Sequence, residues 1–190
     1  MTGFGNSSDM KTPYNLNDYA NEVREVIDEL KSDKIDVVAH SFGARVLVKL
    51  LQTDKRIDKI VLTGAAGLKP RRSLKYYFKR TAFKVLSVFF QKDRLKRFYS
   101  SDYNALSPVM QESFKLIVNE HLDEEYKKIK NKTLIIFGKK DKETPLYMAK
   151  RMRKYVKGSK LIVLNKEGHF CFSENPAAFN SAVFSFLMEK

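Results

Sequence analysis

Four apolar runs of strand length stand out from a chain whose polar and apolar residues otherwise alternate at helical spacing. They are Ile35-Asp36-Val37-Val38-Ala39, then Lys59 to Thr63, Thr133 to Phe137 and Lys160 to Leu164. The last three are apolar almost throughout, as strands covered on both faces of a parallel sheet are. Between them the period changes to that of a helix. Ala20, Val23, Ile27 and Leu30 share one face of a helix that Asn17 caps and that runs to about Lys31. A helix from about Gly43 to Gln52 follows the first strand. Another runs from about Pro145 to Val156, with proline in its first turn, and Pro176 opens a last helix to about Met188. From Gly64 to Asn131 no convincing strand is found. Strands alternating with helices predict an α/β fold, a parallel sheet flanked by helices.

The first strand runs directly into Ala39-His40-Ser41-Phe42-Gly43 and then a helix-forming stretch. Small residues two before and two after a serine suit a strand-to-helix turn so tight that larger side chains meet the backbone. Such a turn lifts the serine hydroxyl clear of the sheet. A serine alone is a weak nucleophile and needs a base and a group that orients the base. His169, in Glu167-Gly168-His169-Phe170, follows the fourth strand. Asp141, in Gly138-Lys139-Lys140-Asp141, follows the third. All three residues therefore fall just past carboxyl ends of strands, the edge of an open α/β sheet where ligands bind. Each has an ordinary alternative: a serine at a helix start caps it, and Asp before Thr-Pro shapes a turn. Their joint placement carries the reading. Glu143 is the second choice of acid. Asp36 lies inside a strand, His40 is bound into the serine turn, and His121 falls in a charged helical stretch.

Ala39-His40-Ser41-Phe42-Gly43 resembles the G-x-S-x-G of the α/β-hydrolase fold, with Ala in the first Gly position, and Ser, Asp, His is that fold's chain order. Gly138 to Pro145 resembles its acid loop, Gly168-His169-Phe170 its histidine loop, and Gly3-Phe4-Gly5-Asn6-Ser7 a segment after an early strand. Within the family the chain is similar to bacterial hydrolases of undefined substrate, on Ala65-Ala66-Gly67-Leu68-Lys69-Pro70 and Ser101-Asp102-Tyr103-Asn104-Ala105. The resemblance implies a hydrolase core over 1–63 and 132–190 and a helical lid over 64–131. It implies Ser41, His169 and Asp141 as a catalytic triad, the Phe42 N–H as oxyanion donor, and no cofactor. The family places several strands, and a His-Gly loop with a second oxyanion donor, ahead of the Gly-Phe-Gly segment; this chain starts within that segment. A longer gene product is expected, and with it strand 35–39 at an unpaired edge, open to self-association. The implied activity is cleavage of a small to medium, fairly apolar carboxylic ester. The same triad also serves thioester, amide and carbon–carbon bonds, and a fragment unable to assemble its site is the alternative of another class.

Composition adds three points. The 190 residues make one domain, and a single cysteine, Cys171, excludes an internal disulfide and suits a small buried thiol. No run reaches the roughly 18 apolar residues of a membrane span, the first residues lack a signal-peptide core, and a cytoplasmic location is expected. No cluster has metal-ligand spacing. The net charge is +14, from 36 Lys plus Arg against 22 Asp plus Glu. Much of the excess lies between Lys69 and Arg97, where Asp93 is the one acid. Leu74, Tyr77, Phe78, Val85, Val88 and Phe89 recur there near helical spacing, a basic amphipathic helix. The favoured reading is a lid whose apolar stripe, with Tyr77, Phe78 and Phe89, walls the substrate while its lysines are solvated. Transient contact with an anionic membrane surface comes second. Nucleic-acid binding comes last and is not expected, since no recognised motif accompanies the charge.

Overall fold

The computed structural model describes residues 1–71, 103 and 106–189. Among these, helix α1 (Leu16–Glu29) precedes β1 (Ile35–His40), α2 (Phe42–Leu50) and β2 (Ile57–Thr63). Helices α3 (Pro108–Asn119) and α4 (Asp123–Lys128) lead to β3 (Lys132–Gly138), α5 (Leu146–Tyr155) and β4 (Lys160–Leu164). A short α6 (Cys171–Glu174) and α7 (Pro176–Met188) complete the order. The four strands form one parallel sheet in the order β1-β2-β3-β4. The four predicted strands and the helices expected around them are present, and beyond residue 71 the basic amphipathic helix expected between Lys69 and Arg97 lies outside the described residues. The segment expected as a lid, 64–131, holds helix and no strand where it is described.

The period-2 pleat sorts the apolar runs onto two faces. Ile60, Leu62, Ile135 and Phe137 face a large core with α1, α2 and α5, and Val61, Leu134 and Ile136 face a smaller one with Phe179 and Phe186 of α7. This double cover explains why β2 and β3 read as continuous apolar runs. The start of α1 is the one cap that differs from expectation. Asn15, not Asn17, caps it, accepting from the backbone N–H of Asn17 and Asp18, while the Asp18 carboxylate accepts in return from the Asn15 N–H. An acid three residues past the cap closes a reciprocal box that a lone Asn17 cannot form. Leu30, expected on the buried face, is 61% exposed because the helix ends before it.

Strand β1 pairs with β2 on one side and with no other described strand on the other. Its burial follows. Ala39 is 6% exposed, whereas Val38 is 49% exposed although its cross-strand partner Val61 is fully buried. The unpaired edge expected for this strand is what the described residues have.

Candidate active site

Ser41 stands between β1 and α2 with φ 49 and ψ −111, a left-handed conformation costly for a residue with a Cβ. Backbone hydrogen bonds hold it there: its N–H donates to Thr63 O at 3.1 Å, and its own carbonyl accepts from Ala66 N–H at 3.1 Å. The loop after β2 thus clamps the serine turn. The two small residues flanking this turn are not equivalent. Ala39 is buried, but a Cβ on Gly43 would meet nothing within 4 Å among the described residues. Beyond the helix's own backbone, no described atom stands in the way of a larger residue at 43.

The three chemical groups come together. Ser41 Oγ lies 3.0 Å from His169 Nε2, and His169 Nδ1 lies 2.9 Å from Asp141 Oδ2. Asp141 is 5% exposed. Its Oδ1 accepts from the N–H of Glu143 and of Thr144, and its Oδ2 also accepts from the Thr144 hydroxyl at 2.8 Å. Glu143, the second choice of acid, contributes only its N–H to this set and lines the open cleft. The histidine loop is fastened on both sides of the ring. Gly168 N–H donates to Glu174, and Glu167 accepts from Asn175 Nδ2 at 2.8 Å and from the Lys166 N–H at 2.7 Å. The Asn175 bond above all holds the Glu167 carboxyl below its usual range. His40, set aside as the base, packs on His169 with ring centroids 4.6 Å apart and bonds its carbonyl through Nε2 at 3.0 Å. Burial lowers the His40 pKa, so the ring there is held neutral and donates.

Two glycines make this convergence possible; Gly138 is read in the sequence as opening the acid loop, but the close approach at either glycine is not foreseen there. A Cβ on Gly138 would fall 2.1 Å from Gly168 O and 2.4 Å from Glu167 O, so the acid and histidine loops cross backbone to backbone there. Gly64 has φ +48, and a Cβ on it would meet the His169 ring and carbonyl at 3.1 Å. Thr144 was also passed over; its signal is an Asp with Thr three residues on, the spacing of a side chain that folds back on its own loop. Cys171 is fully buried, with Sγ 3.3 Å from Thr63 Oγ1, and burial pushes its thiol up.

Ser41 opens onto a cleft of about 480 Å3 whose walls are chiefly Phe4, Tyr19, Phe42, Met110, Phe114 and Ile117. Phe4 reaches it from a turn with Gly3 and Gly5 both at positive φ, and stacks on Phe42 at 5.5 Å. Burial pushes the Tyr19 phenol up to about 12, which keeps it a neutral donor. The N–H of Phe42 is in the first turn of α2, where helix donors lack intrahelical partners and can receive an anion. Tyr77, Phe78 and Phe89, expected to wall the substrate, lie outside the described residues. The wall that is described comes from α1, the start of α2, α3 and the Gly-Phe-Gly segment. No described helix is long and apolar enough to cross a membrane.

A sequence model of the alpha/beta hydrolase family matches residues 1–182. The chain is 24% identical over 213 residues to the AB hydrolase superfamily protein YisY of Bacillus subtilis, covering 98% of this chain and 78% of that protein. It is 22% identical over 210 residues to a 2-hydroxy-6-oxo-2,4-heptadienoate hydrolase of Pseudomonas putida, covering 98% and 76%. Among solved structures, an esterase from Exiguobacterium antarcticum superposes with a TM-score of 0.74 at 24% identity, over 99% of this chain and 79% of that one. A meta-cleavage product hydrolase gives 0.71 at 25% identity, over 100% and 78%. With a matching sequence model along nearly its whole length and a sheet whose strand ends gather Ser41, Asp141 and His169, the chain belongs to the alpha/beta hydrolase family.

Proposed function

We propose that the protein is a serine hydrolase that cleaves a carboxylic ester with a small to medium, fairly apolar acyl group. The observation that carries the reading is the continuous relay from Ser41 Oγ through the His169 ring to Asp141, at 3.0 and 2.9 Å. Ser41 Oγ attacks the acyl carbonyl carbon as His169 Nε2 takes its proton. Asp141 accepts from Nδ1–H, fixing the tautomer and stabilising the imidazolium that forms. The carbonyl oxygen becomes an oxyanion and accepts from the Phe42 N–H. The C–O bond to the leaving alcohol then breaks, and His169 returns the proton to that oxygen. Water repeats the sequence on the acyl-serine, releasing the acid and regenerating Ser41. The apolar walls of the cleft suit a hydrocarbon acyl chain.

A fluorophosphonate probe with an apolar arm tests this directly. The purified chain is expected to label at Ser41 and to turn over p-nitrophenyl butyrate. Ser41→Ala is expected to lose labelling and several powers of ten in kcat. A folded wild-type sample that neither labels nor turns over this ester overturns the reading in favour of a chain that lacks a complete site. The name of the Pseudomonas putida relative favours a second reading, the same relay acting on a bond other than an ester. Labelling without turnover of any ester points to it.

A further inference from the structure

The cleft at Ser41 continues into a second hollow that is richer in polar groups. The first, about 480 Å3, is strongly apolar. The second, about 660 Å3, keeps apolar walls from Leu68, Val118 and Met148 but adds Arg71, Asn119 and Thr144. Arg45 lines both. It lies one helical turn from Ser41 along α2, on the same helix face. A third hollow shares Arg71 with the second and adds Lys69, Arg151 and Lys154, so the polar side leads out along a basic surface.

Arg45 is unusual for a cation. Its Nη1 donates to the carbonyls of Ile117 and Glu120, at 2.9 and 2.8 Å, which ties down the end of α3. Nη1 is the Arg45 nitrogen that bonds to other described residues, and no described carboxylate lies in salt-bridge contact with the guanidinium. Glu120, the acid whose charge is felt at Arg45, is engaged by Lys49. Burial lowers the Arg45 pKa despite the opposing influence of Tyr126 and Glu120. A half-buried cation held by carbonyls and with no carboxylate in direct contact gains from an anion supplied by a ligand.

We propose that Arg45, with Arg71 behind it, forms an anion subsite for the leaving-group side of the substrate. The substrate class is then an ester with an apolar acyl chain in the first hollow and a carboxylate or phosphate on its alcohol part in the second. This rests on the serine-hydrolase reading for the reaction, and on geometry alone for the anion. Glu143 borders both hollows and repels a second negative charge, so one anionic group is favoured over several.

The test pairs substrates of equal acyl chain. The expected kcat/KM for 4-butyryloxybenzoate exceeds that for its neutral methyl ester at least tenfold, since a hydrogen-bonded ion contact is worth about that factor. Intrinsic reactivity runs the other way, because the methyl ester has the better leaving group. Arg45→Gln is expected to bring the ratio down about tenfold, and Arg45→Lys to keep part of it. Because Arg45 also ties down α3, the exposed Arg71→Gln supplies a second variant, expected to lower the ratio about threefold. A binding arm needs no turnover: calorimetry at fixed ionic strength compares benzoate, phenyl phosphate and benzamide on the wild-type chain. Tighter binding of either anion than of benzamide, weakened in Arg71→Gln, supports the subsite, and the tighter anion identifies its ligand. If the anions bind this way but no ester turns over, the subsite stands and the ester reading falls. If esters turn over at a ratio near one and benzoate and phenyl phosphate bind no better than benzamide, the subsite falls and the ester reading stands.

Discussion

The acid–base side of the relay and the nucleophile side are held in opposite ways. Asp141 and His169 sit on loops that bind each other: Lys139 N–H donates to Leu164 O, and Lys140 N–H to Glu167 O. Thr144, Glu174 and Asn175 then complete a closed set of hydrogen bonds around them. Ser41 has no comparable enclosure. Its turn is strained at φ 49, and its strand has β2 on one side and a half-exposed valine on the other. Asp141 and His169 are thus positioned by local chemistry, and Ser41 by one neighbouring strand and the loop after it. Changes on the first side should act on chemistry and loop geometry together. Changes on the second should be graded by how much of β1 is actually covered.

The largest effect is expected on the enclosed side. In Asp141→Asn the amide oxygen can keep the two backbone bonds that Oδ1 now accepts. The amide nitrogen then faces His169 Nδ1 and the Thr144 hydroxyl, both donors. The imidazole is driven to the tautomer with its proton on Nε2, which cannot accept from Ser41. A loss of about 10^4 in kcat follows, measured with p-nitrophenyl butyrate on a sample whose melting temperature has been checked. A loss under tenfold would mean that Asp141 does not orient the base.

Gly138→Ala comes next, and it strikes the same side through the backbone. Its Cβ would fall 2.1 Å from a carbonyl oxygen that has no free rotor to move aside. The two loops must part, at a cost of about 3 kcal/mol, the upper end of overpacking. Thermal or urea unfolding reads the stability, and kcat should fall with it because the Asp141–His169 distance opens. Gly43→Ala is the matched change on the nucleophile side, where the Cβ meets nothing, and little loss is expected.

A third comparison uses two valines that face each other across β1 and β2. Val61 is fully buried and Val38 is 49% exposed. Val61→Ala removes two buried methyl groups and leaves a cavity, for about 2 kcal/mol. Val38→Ala should cost under about 0.5 kcal/mol. Equal costs would show that the outer face of β1 is covered in solution, which sedimentation of the same samples would trace to self-association.

The sequence made the chemistry more legible than its supports. The strand runs, the Ser41 turn and the order Ser, Asp, His could be read because each is a local pattern: apolar period, small flanking residue, loop after strand. The unpaired edge of β1 could be anticipated from the resemblance. What could not be read were contacts between residues far apart in the chain. Gly138 gives no sign by itself that Gly168 will cross it, and Gly64 none that His169 will lie against it. Arg45 was overlooked for another reason. Its position one turn past Ser41 is visible, but its burial and the occupied state of Glu120 depend on how α3 packs. The Asn15 cap was missed by one helical position pair because two asparagines compete there and only the acid at 18 decides between them.

The smallest expected effect separates the two sides by pH. Burial lowers the His40 pKa in the fold. The unfolded chain therefore binds the proton first as pH falls through about 6.5, and stability contributed by neutral His40 is lost below that value. Glu167 is the opposite kind of group. Its folded pKa lies below the ordinary carboxylate value of about 4.3, owing first to Asn175, so its contribution is present above that pH and is lost only as pH falls further. His40 sits at the end of β1 and touches the histidine loop from the nucleophile side. Mild acid should thus loosen the seam between the two sides while the loop clamp is still intact. Melting temperature against pH is expected to begin falling below about pH 6.5 in the wild type, and that early slope should flatten in His40→Gln, whose amide can still donate to the His169 carbonyl. Glu167→Gln should leave the early slope and flatten the later one. If His40→Gln leaves the early slope unchanged, the neutral ring is not what joins the two sides.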